Sequence, residues 1–339
     1  MFISTTIILI LTLLYVIRQY HIGTDTIEYV YYFEALGSMS SISQTIQYSV
    51  FRGFEIGFSV LSYLLFSLVA QPAFLFGIYI LIMYFSYLKA FAMSNLNLVL
   101  LLGSLFSYFP MYYNSFNILR QSIAVALVVL ACQYLISDKK SKFFIITVLA
   151  LFFFHYSAIV CLGFYFVWKF KDLLFRLWYV NLFSTVIISS TALLYLTSNF
   201  VKYETYAVKD SVTTTLSPLL FGFYVLILAA SILFSRIVPT TLKPQYKFYS
   251  VIFTFFIGLQ VFFYINPFVN QALIRLAFYF MWAGPFIIGI LLLSINDKSI
   301  RYFLNTLLFA FICFYFIYSS LHQDVEMVPY MMHFHFNIL

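Results

Sequence analysis

Apolar runs long enough to cross a bilayer recur from one end of the chain to the other, and the segments between them are too short to hold a soluble domain. A helix needs about 20 residues to traverse the hydrocarbon core, so this spacing admits a bundle of membrane helices and little else. A membrane β-barrel requires alternating apolar and polar positions, whereas these runs are continuously apolar. Charged residues occupy 9% of the 339 positions. A soluble domain carries about 25%, so these are too few to coat a water-exposed surface. The expected fold is all-α: one polytopic integral membrane domain over residues 1–339, with about eleven or twelve transmembrane helices.

The helices are expected at about 2 to 17, 54 to 70, 74 to 90, 96 to 113, 118 to 136, 143 to 168, 177 to 197, 217 to 235, 248 to 266, 272 to 293 and 302 to 320. No basic stretch precedes Phe2–Ile17 and no small-x-small cleavage site follows it, so it reads as a retained helix and not a removed signal. The run from Phe143 to Trp168 fits either one long helix or two short ones meeting near His155.

Lys and Arg favour the cytoplasmic side of a membrane. The clusters Lys139-Lys140-Ser141-Lys142, Lys169 to Arg176, Arg236 to Lys247 and Asp297 to Arg301 are therefore the inside markers. With all four inward, the chain from Lys142 to Trp168 must go out and return, which favours two short helices with His155 near the outer turn. The Asn114 to Gln121 segment, the 198 to 216 loop, the 266 to 275 segment and the C-terminal tail then face outward. Parity fails if the 18 to 53 loop is also outside and every one of these runs crosses, so either one early run, such as 54 to 70, does not span fully or the segment boundaries differ there.

The net charge of +7 does not indicate nucleic acid, because the basic residues are scattered between hydrophobic segments, where topology accounts for them. Cys132, Cys161 and Cys313 lie in apolar runs without paired spacing, which supports neither a disulfide framework nor a metal knuckle. There is no Gly-rich phosphate loop, no His-x-x-x-His zinc pair, no Gly-x-Ser-x-Gly elbow and no Cys/His nucleophile spacing. His333 and His335 are two apart in the tail, a poor basis for a metal site. No metal and no cofactor are expected.

Ionisable groups at membrane depth cost several kcal/mol and are retained where they face a cavity or a partner. Arg120 is the sharpest case. On a helix, Asn114, Asn117 and Gln121 share one face that Arg120 adjoins. A guanidinium there can hold a phosphate bidentately; the alternative is an arginine snorkelling at a helix end. Arg275, a second outward arginine, can complete a diphosphate clamp or serve as an interfacial anchor. His155 can carry a proton or donate to a phosphate, or be a buried histidine satisfied by a neighbouring helix. Asp25, Glu28 and Glu55 are the outer carboxylates nearest to helix ends, and one of them can take the proton from an attacking hydroxyl. Arg52 can pair with Glu55.

In order along the chain, Gly23-Thr24-Asp25 with Tyr29, Glu55-Ile56-Gly57-Phe58, Asn117-Ile118-Leu119-Arg120-Gln121-Ser122-Ile123-Ala124, Phe154-His155-Tyr156-Ser157-Ala158 and Pro329-Tyr330 resemble the EpsG-like family of bacterial polysaccharide polymerases, which includes many Wzy-type O-antigen polymerases. The N-terminus departs from many relatives, which have a further helix before the Gly-Thr-Asp segment. The resemblance implies a glycosyltransferase-C-like polymerase architecture in the bacterial inner membrane, with its active site facing the periplasm. It further implies that a growing glycan leaves its undecaprenyl diphosphate and is transferred to a sugar hydroxyl of a newly flipped, lipid-linked repeat unit. Carried over by position, Asp25, Glu55 and His155 are the catalytic candidates. Arg120 and Arg275, with Asn117 and Gln121, are the diphosphate-binding ones. The implied partners are the lipid-linked repeats, the membrane, and a chain-length regulator and flippase of the same pathway, but no nucleic acid.

Three other functions compete, a membrane acyltransferase being the least favoured. A flippase for lipid-linked oligosaccharides is disfavoured because the two halves do not match and the polar residues gather on the outer side. An O-antigen ligase usually carries a large late outer loop, and the 198 to 216 loop is small.

Overall fold

The structure, a computed structural model, describes residues 2–18, 20, 25–95, 115–199, 218–266 and 275–322. Among them there are fourteen α-helices and no strand. By packing, the helices gather into two compact units, Met1–Leu162 with Phe309–Leu339, and Gly163–Leu308.

The first unit contains α1 (Phe2–Ile17), α2 (Thr26–Leu36), α3 (Ile42–Phe51), α4 (Ile56–Leu68), α5 (Pro72–Met93), α6 (Leu119–Ile136) and α7 (Lys140–Phe153). Local chemistry fixes several ends. Ser41 accepts the Gln44 N–H at 3.2 Å and caps α3. Pro72, whose missing N–H has no helical role at that position, starts α5. Asn95 and Asp138 take left-handed backbone angles just after α5 and α6, a conformation their short polar side chains tolerate.

α6 packs between α5 and α7, and its Ala124, Ala126 and Ala131 are fully buried, small residues that let neighbouring helices approach. α4 packs against α2, α3, α5 and α7. Two hydroxyl pairs tie these helices together: Tyr32 to Ser49 at 2.8 Å joins α2 to α3, and Tyr79 to Ser62 at 2.6 Å joins α5 to α4. Gly57 is where α4 meets α7. A Cβ there would lie 2.7 Å from the Phe152 carbonyl oxygen, so only glycine permits this approach.

After α7 the chain breaks at Phe154-His155 and continues as the 3₁₀ turn Tyr156–Gly163. The run from Phe143 to Trp168 is therefore two pieces interrupted at His155 and not one long helix. The 18 to 53 stretch, read from sequence as a loop, carries the helices α2 and α3. α4 has 13 residues, a length of about 20 Å that falls short of the hydrocarbon core.

The second unit contains α8 (Phe164–Arg176), α9 (Trp178–Asn199), α10 (Pro218–Leu233), α11 (Lys243–Ile265), α12 (Phe278–Met281) and α13 (Ala283–Leu293). α11 is its axis and packs against all the others. Its Phe253 and Phe256 meet Tyr224 of α10, its Tyr249 meets Trp282 and Phe286, and Gly258 allows α9 to approach at Thr185. Lys247 of α11 bonds Asp172 of α8 at 2.6 Å. The last helix, α14 (Lys298–His322), carries residues of both units.

Pro72–Met93, Leu119–Ile136, Lys243–Ile265 and Arg275–Leu293 are long and apolar enough to cross a membrane, and Thr6–Ile17, Ile56–Leu68 and Leu220–Arg236 are shorter apolar helices. Large apolar side chains such as Leu9, Leu13, Ile145, Phe183, Ile187 and Phe303 are exposed. Outward apolar faces of this kind are what lipid contact requires. The protein is a multi-pass membrane protein. The expected run at 96 to 113 lies outside the described residues.

Candidate functional site

Three stretches of the first unit that are far apart in sequence converge on Arg120. The helical path is interrupted at Ile118, so Arg120 falls in the first turn of α6. Its side chain is 16% exposed, and its Nη1 donates to Oε2 of Glu55, whose side chain is 3% exposed. Glu55 immediately precedes α4 in extended conformation. Its other oxygen, Oε1, accepts the Tyr156 N–H at 3.3 Å. One carboxylate therefore holds both the arginine and the chain break after His155. Burial raises the Glu55 carboxyl above its ordinary range, and the Arg120 charge opposes that rise without cancelling it.

Aromatic rings fix the rest of the guanidinium. Its carbon lies 4.3 Å from the Phe54 ring centre and 5.7 Å from that of Phe58. Phe54 stacks on Tyr29 and meets Tyr32 edge-on. Tyr29 Oη is 3.5 Å from Arg120 Nε, the outer limit of a hydrogen bond. An arginine held by a carboxylate on one edge and a ring on its face has little rotamer freedom left, the preorganisation that recognition of an oxyanion needs.

A cleft of about 440 Å³ opens onto this arginine. Arg120, Tyr29, Phe54 and Asp25 line it, and Glu28, Phe51 and Arg52 complete the wall. Asp25 is the N-cap of α2 and half-buried, its carbonyl oxygen accepting the Tyr29 N–H at 3.2 Å. Arg52 bonds Glu28 at 2.8 Å, and not Glu55 as the sequence suggested. Gly53, at φ +72°, turns the chain between Phe51-Arg52 and Phe54-Glu55. Phe51 is 87% exposed, whereas Glu55 is buried.

His155 is half-buried, and its Nδ1 lies 2.5 Å from Ser157 Oγ and 3.3 Å from the Ser157 backbone nitrogen. A backbone N–H can only donate, so Nδ1 is the accepting nitrogen and Nε2 the one placed to carry a proton. Asn117 is half-buried and Gln121 is 3% exposed; neither is among the residues lining the cleft. Arg275 belongs to the second unit, where it opens the Arg275–Ala277 turn and is half-buried. Tyr330, His333 and His335 lie outside the described residues. Among the described residues no cluster of three His, Cys, Asp or Glu is placed to hold a metal.

Arg18 belongs to this neighbourhood, and sequence reasoning passed over it. It is 1% exposed, and its guanidinium lies 3.7 Å from the Tyr15 ring centre and 4.5 Å from that of Phe116. Its Nη2 donates to Thr26 Oγ1 at 3.1 Å, and that hydroxyl donates to the Phe116 carbonyl. Tyr15 Oη donates to the Ser115 carbonyl at 2.8 Å. The end of α1, the start of α2 beside Asp25 and the lead-in to Arg120 are thus tied together. A charge at the edge of an apolar run reads as a topology marker, so no sequence signal separates Arg18 from an ordinary flanking arginine.

A sequence model of the EpsG family matches residues 1–332. No curated protein and no solved structure matches the chain.

Proposed function

Because the chain belongs to the EpsG family, which is linked to exopolysaccharide synthesis, we propose that it is a surface-polysaccharide or O-antigen polymerase. In this reading it transfers a growing glycan from undecaprenyl diphosphate to a sugar hydroxyl of a new lipid-linked repeat, at the periplasmic face of the bacterial inner membrane. The observation that carries the reading is the half-buried Arg120, braced by Glu55 and Phe54 and lining a cleft that Asp25 also lines.

The acceptor hydroxyl gives its proton to Asp25 while its oxygen bonds to the anomeric carbon of the donor. The bond from that carbon to the diphosphate oxygen breaks, and its electron pair leaves with the diphosphate. Arg120 stabilises the charge that develops there, which is where a preorganised cation lowers the barrier most. Glu55 sits behind Arg120 and acts as a positioning residue. His155, like Asn117 and Gln121, is not among the residues lining the cleft and takes no step in this transfer. Arg120 and Asp25 thus supply the two functions this transfer needs, a leaving-group cation and a base.

The purified protein in lipid nanodiscs, given one lipid-linked repeat unit, should yield products that grow by whole repeats, and Arg120→Ala should abolish them. Movement of the repeat across a vesicle without chain growth would replace this reading with a flippase. Transfer of glycan only to a lipid A core would replace it with a ligase.

A further inference from the structure

The cleft has a less exposed part and a rim of different chemistry. Arg120 and Phe54, both half-buried, make the less exposed part, whereas Phe51, Arg52 and Glu28 are exposed. The rim is built from the C-terminal end of α3 and the first turn of α2, where Phe51, Arg52 and Glu28 come together. Gly53 divides the two, because its left-handed turn leaves Phe51 outward while Phe54 returns against Tyr29 and Tyr32.

We infer that the rim of Phe51, Arg52 and Glu28 is the subsite for the acceptor saccharide, separate from the diphosphate position at Arg120. The inference rests on the polymerase reading and assigns the second substrate its place. Phe51 presents an exposed aromatic face, the surface on which the C–H face of a sugar ring packs. Arg52 offers donors and Glu28 offers acceptors, and they are 2.8 Å apart, a spacing suited to neighbouring hydroxyls on one ring. Both are solvent-accessible, with side chains 35% and 59% exposed, so the pair contributes little to stability.

Charge decides which substrate the rim favours. Arg52 and Glu28 cancel, and Asp25 faces the same cleft, so a phosphate at the rim would have to displace one carboxylate and approach another. A neutral sugar can bond to both members of the pair without separating them. The cleft volume of about 440 Å³ lies in the range of small-ligand sites. Asp25 lines the same cleft as both parts, so a hydroxyl held at the rim has the proposed base in the same cavity.

The test uses two probes on the full chain in nanodiscs: a phosphate-free oligosaccharide repeat released from the cell's own surface polysaccharide, and undecaprenyl diphosphate without sugar. Phe51→Ala and Glu28→Gln should each weaken oligosaccharide binding roughly three- to tenfold while leaving undecaprenyl diphosphate binding unchanged. Phe51→Trp should retain both. In chain-extension assays Phe51→Ala should raise KM for the acceptor with kcat preserved. Unchanged oligosaccharide binding in both variants overturns the subsite, as does an equal loss of both probes, which would make Phe51 a membrane anchor. Undecaprenyl diphosphate binding that survives Arg120→Ala counts against the polymerase reading alone.

Discussion

Arg120 and Glu55 lie 65 residues apart in the chain and meet as an ion pair with most of both side chains withdrawn from solvent. Such a pair need not stabilise the fold, because desolvation offsets much of the attraction; removing one partner, however, strands the other charge. Arg120→Ala should therefore lower stability by about 3–5 kcal/mol. The double change Arg120→Met with Glu55→Gln should recover most of that loss without recovering chain extension. Thermal melting in detergent, run beside a glycan ladder, reads both effects.

Glu55 has to be ionised to hold Arg120, and its carboxyl is raised by burial. Protonation on lowering the pH removes the negative partner, so activity should fall on the acid side at a pH above the ordinary glutamate range. A rate–pH profile of the purified protein in the chain-extension assay checks this. An acid limb at or below the ordinary range would show that Glu55 is not the group being titrated.

Gly57 sets the spacing between α4 and α7, and with it the reach from Glu55 to the Tyr156 N–H. Gly57→Ala should destabilise by about 1–3 kcal/mol, because the obstacle includes a backbone oxygen that no rotamer change removes. Trimming Phe152 to Leu should rescue it only in part. Gly222→Ala, where nothing lies within 4 Å of the added carbon, should be neutral or slightly stabilising in the same melting assay.

Arg18→Lys keeps the charge and loses the planar group stacked on Tyr15 and Phe116. That stacking is worth about 0.5–2 kcal/mol, so the variant should melt lower and extend chains more slowly than wild type. Wild-type melting and rate in this variant would show that Arg18 does not order the lead-in to Arg120.

Elements governed by composition are legible in the sequence. Phe2–Ile17 ends where expected because the apolar run stops at Arg18, and Arg120 stands out because an arginine in such surroundings is costly. α2 and α3 were missed because they mix Glu28, Glu34 and Gln47 with aromatic residues, and a search for spanning runs passes over short helices of that kind. The break at His155 has no proline to announce it; the inward charge clusters on either side called for it, and the bond from the Tyr156 N–H to Glu55 that accompanies it is the part with no local signature. The role of Glu55 is likewise a matter of what faces it. Asp25 and Glu55 look alike as carboxylates beside helix starts, and only packing separates the half-buried residue on the cleft from the buried one behind Arg120.

The turn at Gly53 carries a consequence for how such a chain can diversify. A single left-handed residue places its two flanks in different surroundings, one exposed and one packed among Tyr29, Tyr32 and Arg120. Positions 51 and 52 can drift under selection for new surface chemistry without disturbing the packing of positions 54 and 55. Novelty and constraint sit side by side in five consecutive residues, separated by one dihedral angle.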